Sequence, residues 1–132
     1  MTIQNLLQTT IDKGASDLHL LSGYSPTLRI DGELVTLDGE VLDSKMIQTL
    51  LEVLLTPDQL SVFLSNHELD FGYGFGSGRF RVNAYFEKGS VAVSFRLIPL
   101  KIPNIDELNL PKICHNFAQV RQGFILVTGP TG

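Results

Sequence analysis

Residues 69–97, "LDFGYGFGSGRFRVNAYFEKGSVAVSFRL", alternate apolar and polar side chains over almost their whole length. A period of two is typical of β-strands that bury one face, because successive side chains point to opposite sides of a sheet. The alternation breaks at "GSG" (76–78) and "EKGS" (87–90), which are rich in residues that suit tight turns. The stretch therefore predicts an antiparallel meander of three strands.

One face of the predicted meander is mostly polar. Its members alternate with the large apolar residues and are Arg79, Arg81, Asn83, Ala92, Ser94 and Arg96. The apolar faces of the last two strands match if the "EKGS" turn pairs Phe86 with Val91. That register places Arg81 directly opposite Arg96.

Two readings of this arginine pair are open. Like charges in direct opposition destabilise a sheet by up to ~1 kcal/mol, which favours an anion or a carboxylate above the pair. A guanidinium fork suits phosphate well. Alternatively, the arginines extend into solvent or pair with acidic residues such as Glu33 or Glu68.

Before the meander, the pattern switches between helical and strand periods. Residues 3–11 carry apolar side chains at helical spacing, and Gly14 is placed to end that helix. The stretch "SDLHLL" (16–21) alternates and predicts a half-buried strand. Asp31-Gly32 separates two further alternating runs, and this dipeptide predicts a β-hairpin with a type I′ turn.

Two more helices are predicted between the hairpin and the meander. Asp43 or Ser44 can cap the first, whose apolar residues from 47 to 54 form one stripe. Thr56 precedes a proline and stands three residues before Gln59, which is the signature of a capping box. Both helices are expected to pack on the sheet.

The composition of the chain changes after Leu97. Three prolines fall between residues 99 and 111, which is typical of a semi-rigid connector. We therefore predict a first domain at 1–98, a linker at 99–111 and the start of a second domain at 112–132. Within the last segment, the pattern predicts a helix over 111–122 and a buried strand over 124–128.

The sequence "GPTG" (129–132) follows that predicted strand. A buried strand that leads into a glycine-rich turn is how a phosphate-binding loop begins, because the backbone N–H groups must converge on phosphate oxygens. Gly129, Pro130, Thr131 and Gly132 would open the pattern G-x-x-x-x-G-K-[ST]. The same tetrapeptide also makes an ordinary turn.

Composition narrows the function classes. The 132 residues carry a net charge of -4, which argues against nucleic-acid binding through phosphate neutralisation. With a single cysteine, Cys114, the chain has no internal disulfide and no paired-cysteine zinc motif. Apolar runs are too short to insert into a membrane, since a span needs about 20 residues, so we expect a cytoplasmic protein.

Five motifs in order, "GASDLHL", "LRIDGEL", "GRFRVNAY", "FRLIP" and "GFILVTGPTG", resemble the N-terminal half of the secretion ATPase superfamily. They are most similar to the PilT-type ATPases, which retract type IV pili and drive twitching motility. The resemblance extends along nearly the whole chain. It implies an α+β fold: a PAS-like domain with an antiparallel sheet and helices on one face, a linker, and the first strand of a RecA-like ATPase domain.

The resemblance also implies a function. Such proteins are homo-hexamers that bind ATP with Mg²⁺ between the two domains and act on the platform protein of the pilus machinery at the inner membrane. Arg79, Arg81 and Arg96 match the arginines that reach the nucleotide phosphates. The lysine of the phosphate loop and the catalytic glutamate would follow Gly132, so we expect no ATP hydrolysis and no bound cofactor from these 132 residues alone.

The sequence is also compatible with other functions. The chain could be a non-catalytic PAS-like sensor or interaction module, or it could come from a pilus assembly or type II secretion ATPase. Asp17 and His19 could be read as a metal pair, but two ligands on a strand fall short of a site, and a solvated strand face is the simpler interpretation. His67 and His115 have no evident partner in the sequence.

Overall fold

The computed structural model of the chain describes residues 1–76, 78–99 and 102–129. Within these ranges it contains four helices and six strands: α1 (Ile3–Asp12), β1 (Asp17–Leu20), β2 (Thr27–Ile30), β3 (Glu33–Thr36), α2 (Ser44–Glu52), α3 (Pro57–Asn66), β4 (Glu68–Phe75), β5 (Gly78–Glu87), β6 (Ser90–Ile98) and α4 (Ile113–Gln119). These elements confirm the predicted α+β class.

The described strands form one sheet in the order β3-β2-β1-β6-β5-β4, and all neighbours are antiparallel. The predicted meander supplies one half, and the predicted hairpin supplies the opposite edge. In the hairpin turn both Asp31 (φ 49°) and Gly32 (φ 86°) have positive φ, as a type I′ turn requires. Strand β1 lies in the middle and joins the two halves through its pairing with β2 and β6.

The helix starts follow the capping residues of the sequence. The Asp43 side chain accepts a hydrogen bond of 2.7 Å from the Met46 backbone N–H at the start of α2. At α3, the Thr56 hydroxyl accepts from the Gln59 backbone while the Gln59 side chain accepts from the Thr56 backbone. Both predicted caps are therefore confirmed, and they satisfy N–H groups that have no partner within the helix.

The sheet buries one face against α1, α2 and α3. Its fully buried apolar residues are Leu18, Leu20, Leu28, Phe80, Val82, Ala84, Val91, Val93 and Phe95. The rings of Phe80 and Phe95 pack edge to face with centroids 6.5 Å apart, and Phe63 of α3 stacks on Phe86 at 5.3 Å. The side chains that alternate with this core face are largely polar and lie on the opposite side of the sheet.

The chain divides into two compact units, residues 1–100 and 101–132. In the second unit α4 spans Ile113–Gln119, so it is shorter than the predicted 111–122. The strand predicted over 124–128 is wrong for this structure, where these residues are exposed and irregular. A strand needs a ladder partner, and no described strand pairs with this segment.

Among the described helices, none has the length and apolar character to cross a bilayer.

Candidate functional site

The polar face of the sheet is organised in two transverse rows. Because the register is continuous across neighbouring strands, each row takes one residue from each strand. The first row reads Leu34, Arg29, Asp17, Arg96, Arg81 and Gly72. The second row reads Thr36, Thr27, His19, Ser94, Asn83 and Asp70. The charged groups are therefore concentrated at the centre of the sheet and toward β4.

Arg81 and Arg96 are direct cross-strand partners on β5 and β6, as the sequence predicted. Their side chains are 67% and 72% exposed, so neither is covered by the helices. A pair of opposed guanidinium groups repels unless negative charge lies close by. Each of the two arginines forms an ion pair with a carboxylate, and the two carboxylates differ in how deeply they are buried.

Arg96 is held by Asp17 on the neighbouring strand β1. Its Nε donates a hydrogen bond of 2.9 Å to Asp17 Oδ1, and the Asp17 side chain is only 8% exposed. The other carboxylate oxygen, Oδ2, accepts a 2.8 Å bond from the Ser16 hydroxyl and lies 3.7 Å from Arg29 Nε. Asp17 is thus a buried carboxylate between two arginines.

The pKa of Asp17 lies below its usual value despite this position. Burial alone would raise the pKa, but hydrogen bonds from Ser16 and Arg96 and the positive charge of Arg96 outweigh that effect. The carboxylate therefore stays ionised. The prediction that Asp17 lies on a solvated strand face is wrong, because β1 is a central strand with an arginine on each side.

Arg81 is held by Asp70 on the other flank, on β4. Its Nε donates to both Asp70 oxygens, at 3.2 Å and 3.0 Å, and its Nη2 donates to Oδ2. The Asp70 side chain is 41% exposed. The hydrogen bonds from Arg81 lower the pKa of Asp70, burial opposes this, and the charge of Arg81 adds to the lowering.

The carboxylates that pair with the two arginines are therefore Asp17 and Asp70. The sequence offered Glu33 and Glu68 as partners, and neither holds Arg81 or Arg96 in the described ion pairs. Long-range register decides this outcome, because Asp17 becomes the neighbour of Arg96 only when β1 pairs with β6. An aspartate on the polar face of a predicted strand was the available signal.

Arg79, the third predicted arginine, lies beside Arg81 on the same face of β5. It is the cross-strand partner of Gly74 and Ile98, one step nearer the β4–β5 turn than Arg81. Its guanidinium lies over Gly72, where an added Cβ would come within 2.9 Å of Nη2. Arg79 shares with Arg81 the lining of a cavity of about 360 Å³ on the β4 side.

His19 lies in the second row, directly between Thr27 and Ser94. Its Nε2 is buried, and no hydrogen-bond partner is found for it among the residues that the structure describes. Burial lowers the pKa of His19, the charge of Asp17 opposes this, and Arg29 and Arg96 add to the lowering. Burial in this position therefore disfavours the charged imidazolium.

A cavity of about 370 Å³ opens above the two rows. It is lined by Asp17, His19, Glu68, Asp70, Arg81, Asn83, Ser94 and Arg96. Two arginines face three carboxylates across this space. Guanidinium groups are donors that suit phosphate oxygens, and in this structure the carboxylates hold some of these donors.

Among the described residues, the structure places no third metal ligand beside Asp17 and His19. In residues 1–76, 78–99 and 102–129, no three His, Cys, Asp or Glu side chains gather closely enough to hold a metal ion. The other two histidines have partners. The His67 ring lies 4.8 Å from that of Phe86, and His115 Nε2 lies 3.0 Å from Asp106 Oδ1. Cys114 is a free, partly buried cysteine.

Of the predicted phosphate-loop residues, only Gly129 is described. It is exposed and irregular, with no atom within 4 Å of an added Cβ. Pro130, Thr131 and Gly132 lie outside the described residues. The structure therefore brings Arg81 and Arg96 together, places Arg79 beside them, and leaves the loop as a prediction.

Two curated proteins of Pseudomonas aeruginosa are similar to this chain over its whole length. The chain is 35% identical to the type IV pilus retraction ATPase PilT and covers 39% of that protein. It is 30% identical to the type IV pilus ATPase PilU and covers 35% of it. The chain therefore spans less than half the length of these relatives. None of the protein-family models matches it.

Solved structures give the same result. The pilus retraction motor PilT with bound ADP matches with a TM-score of 0.78 and 35% identity, over 100% of this chain and 39% of that one. The ATPase DotB of Legionella pneumophila matches with a TM-score of 0.64 and 24% identity, and the match covers 89% of this chain and 35% of the DotB chain. At this identity the match shows only that the two folds are similar. In sequence and in fold, this chain corresponds over its whole length to the N-terminal region of the PilT-type pilus ATPases.

Proposed function

We propose that this chain is the N-terminal domain of a hexameric ATPase motor that powers type IV pilus retraction and twitching motility. In this proposal Arg79, Arg81 and Arg96 bind the phosphates of ATP at the cleft between this domain and an ATPase domain. The similarity to PilT supports it, since that protein is a pilus retraction motor whose solved structure contains ADP.

One observation carries the proposal. Arg81 and Arg96 are opposed on one face of the sheet, and their exposed guanidinium groups line the same cavity. Two forks side by side can present several N–H donors to a polyphosphate, and arginine binds phosphate oxygens in a bidentate way. The sheet backbone fixes the spacing of the two Cα atoms, so the pair is organised before the ligand arrives.

The other parts of the proposal concern cofactors and assembly. ATP would bind with Mg²⁺, for which we assign no ligand in this chain because the described residues form no metal cluster. Gly129, Pro130, Thr131 and Gly132 would begin the phosphate loop of the second domain. The full protein would be a cytoplasmic homo-hexamer, attached to the inner membrane through the pilus platform protein.

The fold argues against the alternative of a PAS-like sensor that holds a ligand on the apolar face. Phe63, Phe80 and Phe95 are fully buried there and pack against other core residues. Aromatic rings in such contacts stabilise a core instead of lining a ligand cavity. The arginine face alone does not distinguish a retraction motor from a motor of the pilus assembly or type II secretion branch, so the choice of branch rests on the similarity to PilT.

The proposal can be tested by steady-state ATP hydrolysis with the full-length protein. Arg81→Ala and Arg96→Ala should each lower kcat/KM for ATP roughly tenfold or more, because each removes a charge-assisted hydrogen bond to phosphate. Lys88→Gln is a matched control, since it removes one positive charge from the β5–β6 turn, away from the cavity above the two rows.

The result expected for Lys88→Gln is unchanged turnover. If both arginine variants hydrolyse ATP as the parent protein does, the arginines do not contact the nucleotide in the working motor. Size-exclusion chromatography of each variant separates a loss of assembly from a loss of nucleotide contact.

A further inference from the structure

The two arginines of the opposed pair are held by carboxylates in very different environments. Asp17, which holds Arg96, is 8% exposed, whereas Asp70, which holds Arg81, is 41% exposed. Asp17 also accepts a hydrogen bond from Ser16 and lies beside Arg29. The Arg96 ion pair therefore has a buried carboxylate that is held by several partners, whereas the Arg81 ion pair is a surface contact between β4 and β5.

This difference decides which arginine can leave its partner. If Arg96 moved away, a buried carboxylate would lose a hydrogen bond that water cannot easily replace, which is costly. If Arg81 moved away, water could hydrate Asp70, because that side chain is partly exposed. The loss of stability would be small, since exposed ion pairs contribute little. Arg81 is thus the arginine that can change partners.

The hydrogen bonds of Arg81 and Arg96 to their carboxylates indicate which N–H donors of each guanidinium are left for a phosphate. Arg96 binds Asp17 through Nε, so its terminal Nη groups can donate to a ligand while that bond persists. Arg81 binds Asp70 through both Nε and Nη2, which form one of the two edges by which a guanidinium can bind a phosphate in a bidentate way. A phosphate that approaches this edge competes with Asp70 for the same donors.

We propose, on the basis of the proposed function, that Asp70 occupies the fork of Arg81 until the ATP phosphates displace it, whereas Asp17 keeps Arg96 permanently in position. Asp70 is then a resident competitor that weakens nucleotide binding, and Asp17 is a positioning residue. Binding of ATP exchanges one partner of Arg81 for another. No covalent bond changes in this step.

The test is a double-mutant cycle on the full-length protein, with a non-hydrolysable ATP analogue and Mg²⁺ as the probe. Asp70→Asn weakens the competing ion pair with little change of shape, so Kd should fall roughly two- to fivefold, the range expected from one exposed ion pair. Arg81→Ala should raise Kd roughly tenfold or more. In Asp70→Asn/Arg81→Ala the gain should vanish and Kd should equal that of Arg81→Ala.

Glu68→Gln is the matched control. Glu68 lies on the same strand as Asp70 and lines the same cavity, but it holds neither arginine in the described ion pairs. Loss of its charge reports the general electrostatic effect of one carboxylate near a polyanion. This effect should be clearly smaller than that of Asp70→Asn.

The results for Asp70 test its role as a competitor, and the results for the two arginine variants test the proposed function. The competitor role is overturned if Asp70→Asn leaves Kd unchanged or raises it, if Glu68→Gln has an equal effect, or if the gain persists without Arg81. If Arg81→Ala and Arg96→Ala both bind the analogue normally, the proposed function itself fails. Asp70 is partly exposed and caps no helix, and circular dichroism verifies that each variant is folded.

Discussion

The carboxylate of Asp17 and the guanidinium of Arg96 are joined by a 2.9 Å hydrogen bond, although the two residues are 79 positions apart in the chain. The bond exists because β1 lies between the hairpin and the meander and pairs with β6. It therefore connects the first half of the domain to the arginine face. We expect this contact to matter both for stability and for the orientation of Arg96.

Replacing the buried carboxylate should destabilise the domain. We expect Asp17→Asn to lower the free energy of unfolding by about 1–2 kcal/mol, since it weakens charge-assisted bonds whose arginine partners are largely exposed and screened. Urea unfolding of the 132-residue chain measures the change. Asp70→Asn, which alters an exposed ion pair, should shift the midpoint much less, and equal shifts would contradict the distinction between the two carboxylates.

The same carboxylate predicts a loss of stability in acid. The pKa of Asp17 in the folded chain is below its usual 3.8, so the unfolded chain binds the proton more readily. The contribution of Asp17 is therefore complete above about pH 3.8 and is lost as the pH falls through the folded pKa. Urea unfolding between pH 5 and pH 2.5 should show a flatter profile for Asp17→Asn than for the parent chain. Parallel profiles would contradict this prediction.

His19 should titrate below its usual pKa of 6.5, because burial disfavours the imidazolium. Its contribution to stability is complete above about pH 6.5 and falls as the pH drops toward the folded pKa, since the unfolded chain then binds more protons. NMR titration of the ring measures the pKa. Asp17→Asn should lower that pKa further, because the negative charge of Asp17 favours the imidazolium. A pKa of 6.5 or above in the parent chain would contradict this prediction.

Gly72 leaves room for the Arg79 side chain. In Gly72→Ala the new Cβ would lie 2.9 Å from Arg79 Nη2, so the flexible end of that side chain must move. Gly74→Ala, on the same strand, meets no atom within 4 Å and should stabilise the chain by about 0.5 kcal/mol through backbone entropy.

NMR of the Arg79 side-chain Nε–H separates these two variants. The signal should shift in Gly72→Ala and stay in place in Gly74→Ala, and the gain in stability should be smaller for Gly72→Ala. Identical spectra for the two variants would show that the Arg79 guanidinium does not lie over Gly72 in solution.

Local patterns predicted most of the first unit. Capping residues gave the starts of α2 and α3, Asp31-Gly32 gave the hairpin turn, and the alternation of 69–97 gave the register that opposes Arg81 and Arg96. All of these depend on residues that are close in the sequence. Short-range signals of this kind are visible before the fold is known.

What the sequence did not predict depends on long-range pairing. Nothing in residues 16–21 indicates that β1 is central or that Asp17 becomes buried between two arginines. The irregular structure of 124–128 has a similar origin, because an apolar run forms a strand only where another strand supplies hydrogen-bond partners. Asp70 could have been identified as a partner of Arg81 from the β4–β5 register, where it lies diagonally across.

The most direct test of the central claim is the structure of the full-length protein with a non-hydrolysable ATP analogue and Mg²⁺ bound. We expect terminal guanidinium nitrogens of Arg81 and Arg96 within about 2.7–3.2 Å of phosphate oxygens, with Arg81 released from Asp70 and Arg96 still bound to Asp17. Phosphates bound with both arginines remote from them, and with the Arg81–Asp70 pair intact in every subunit, would contradict it.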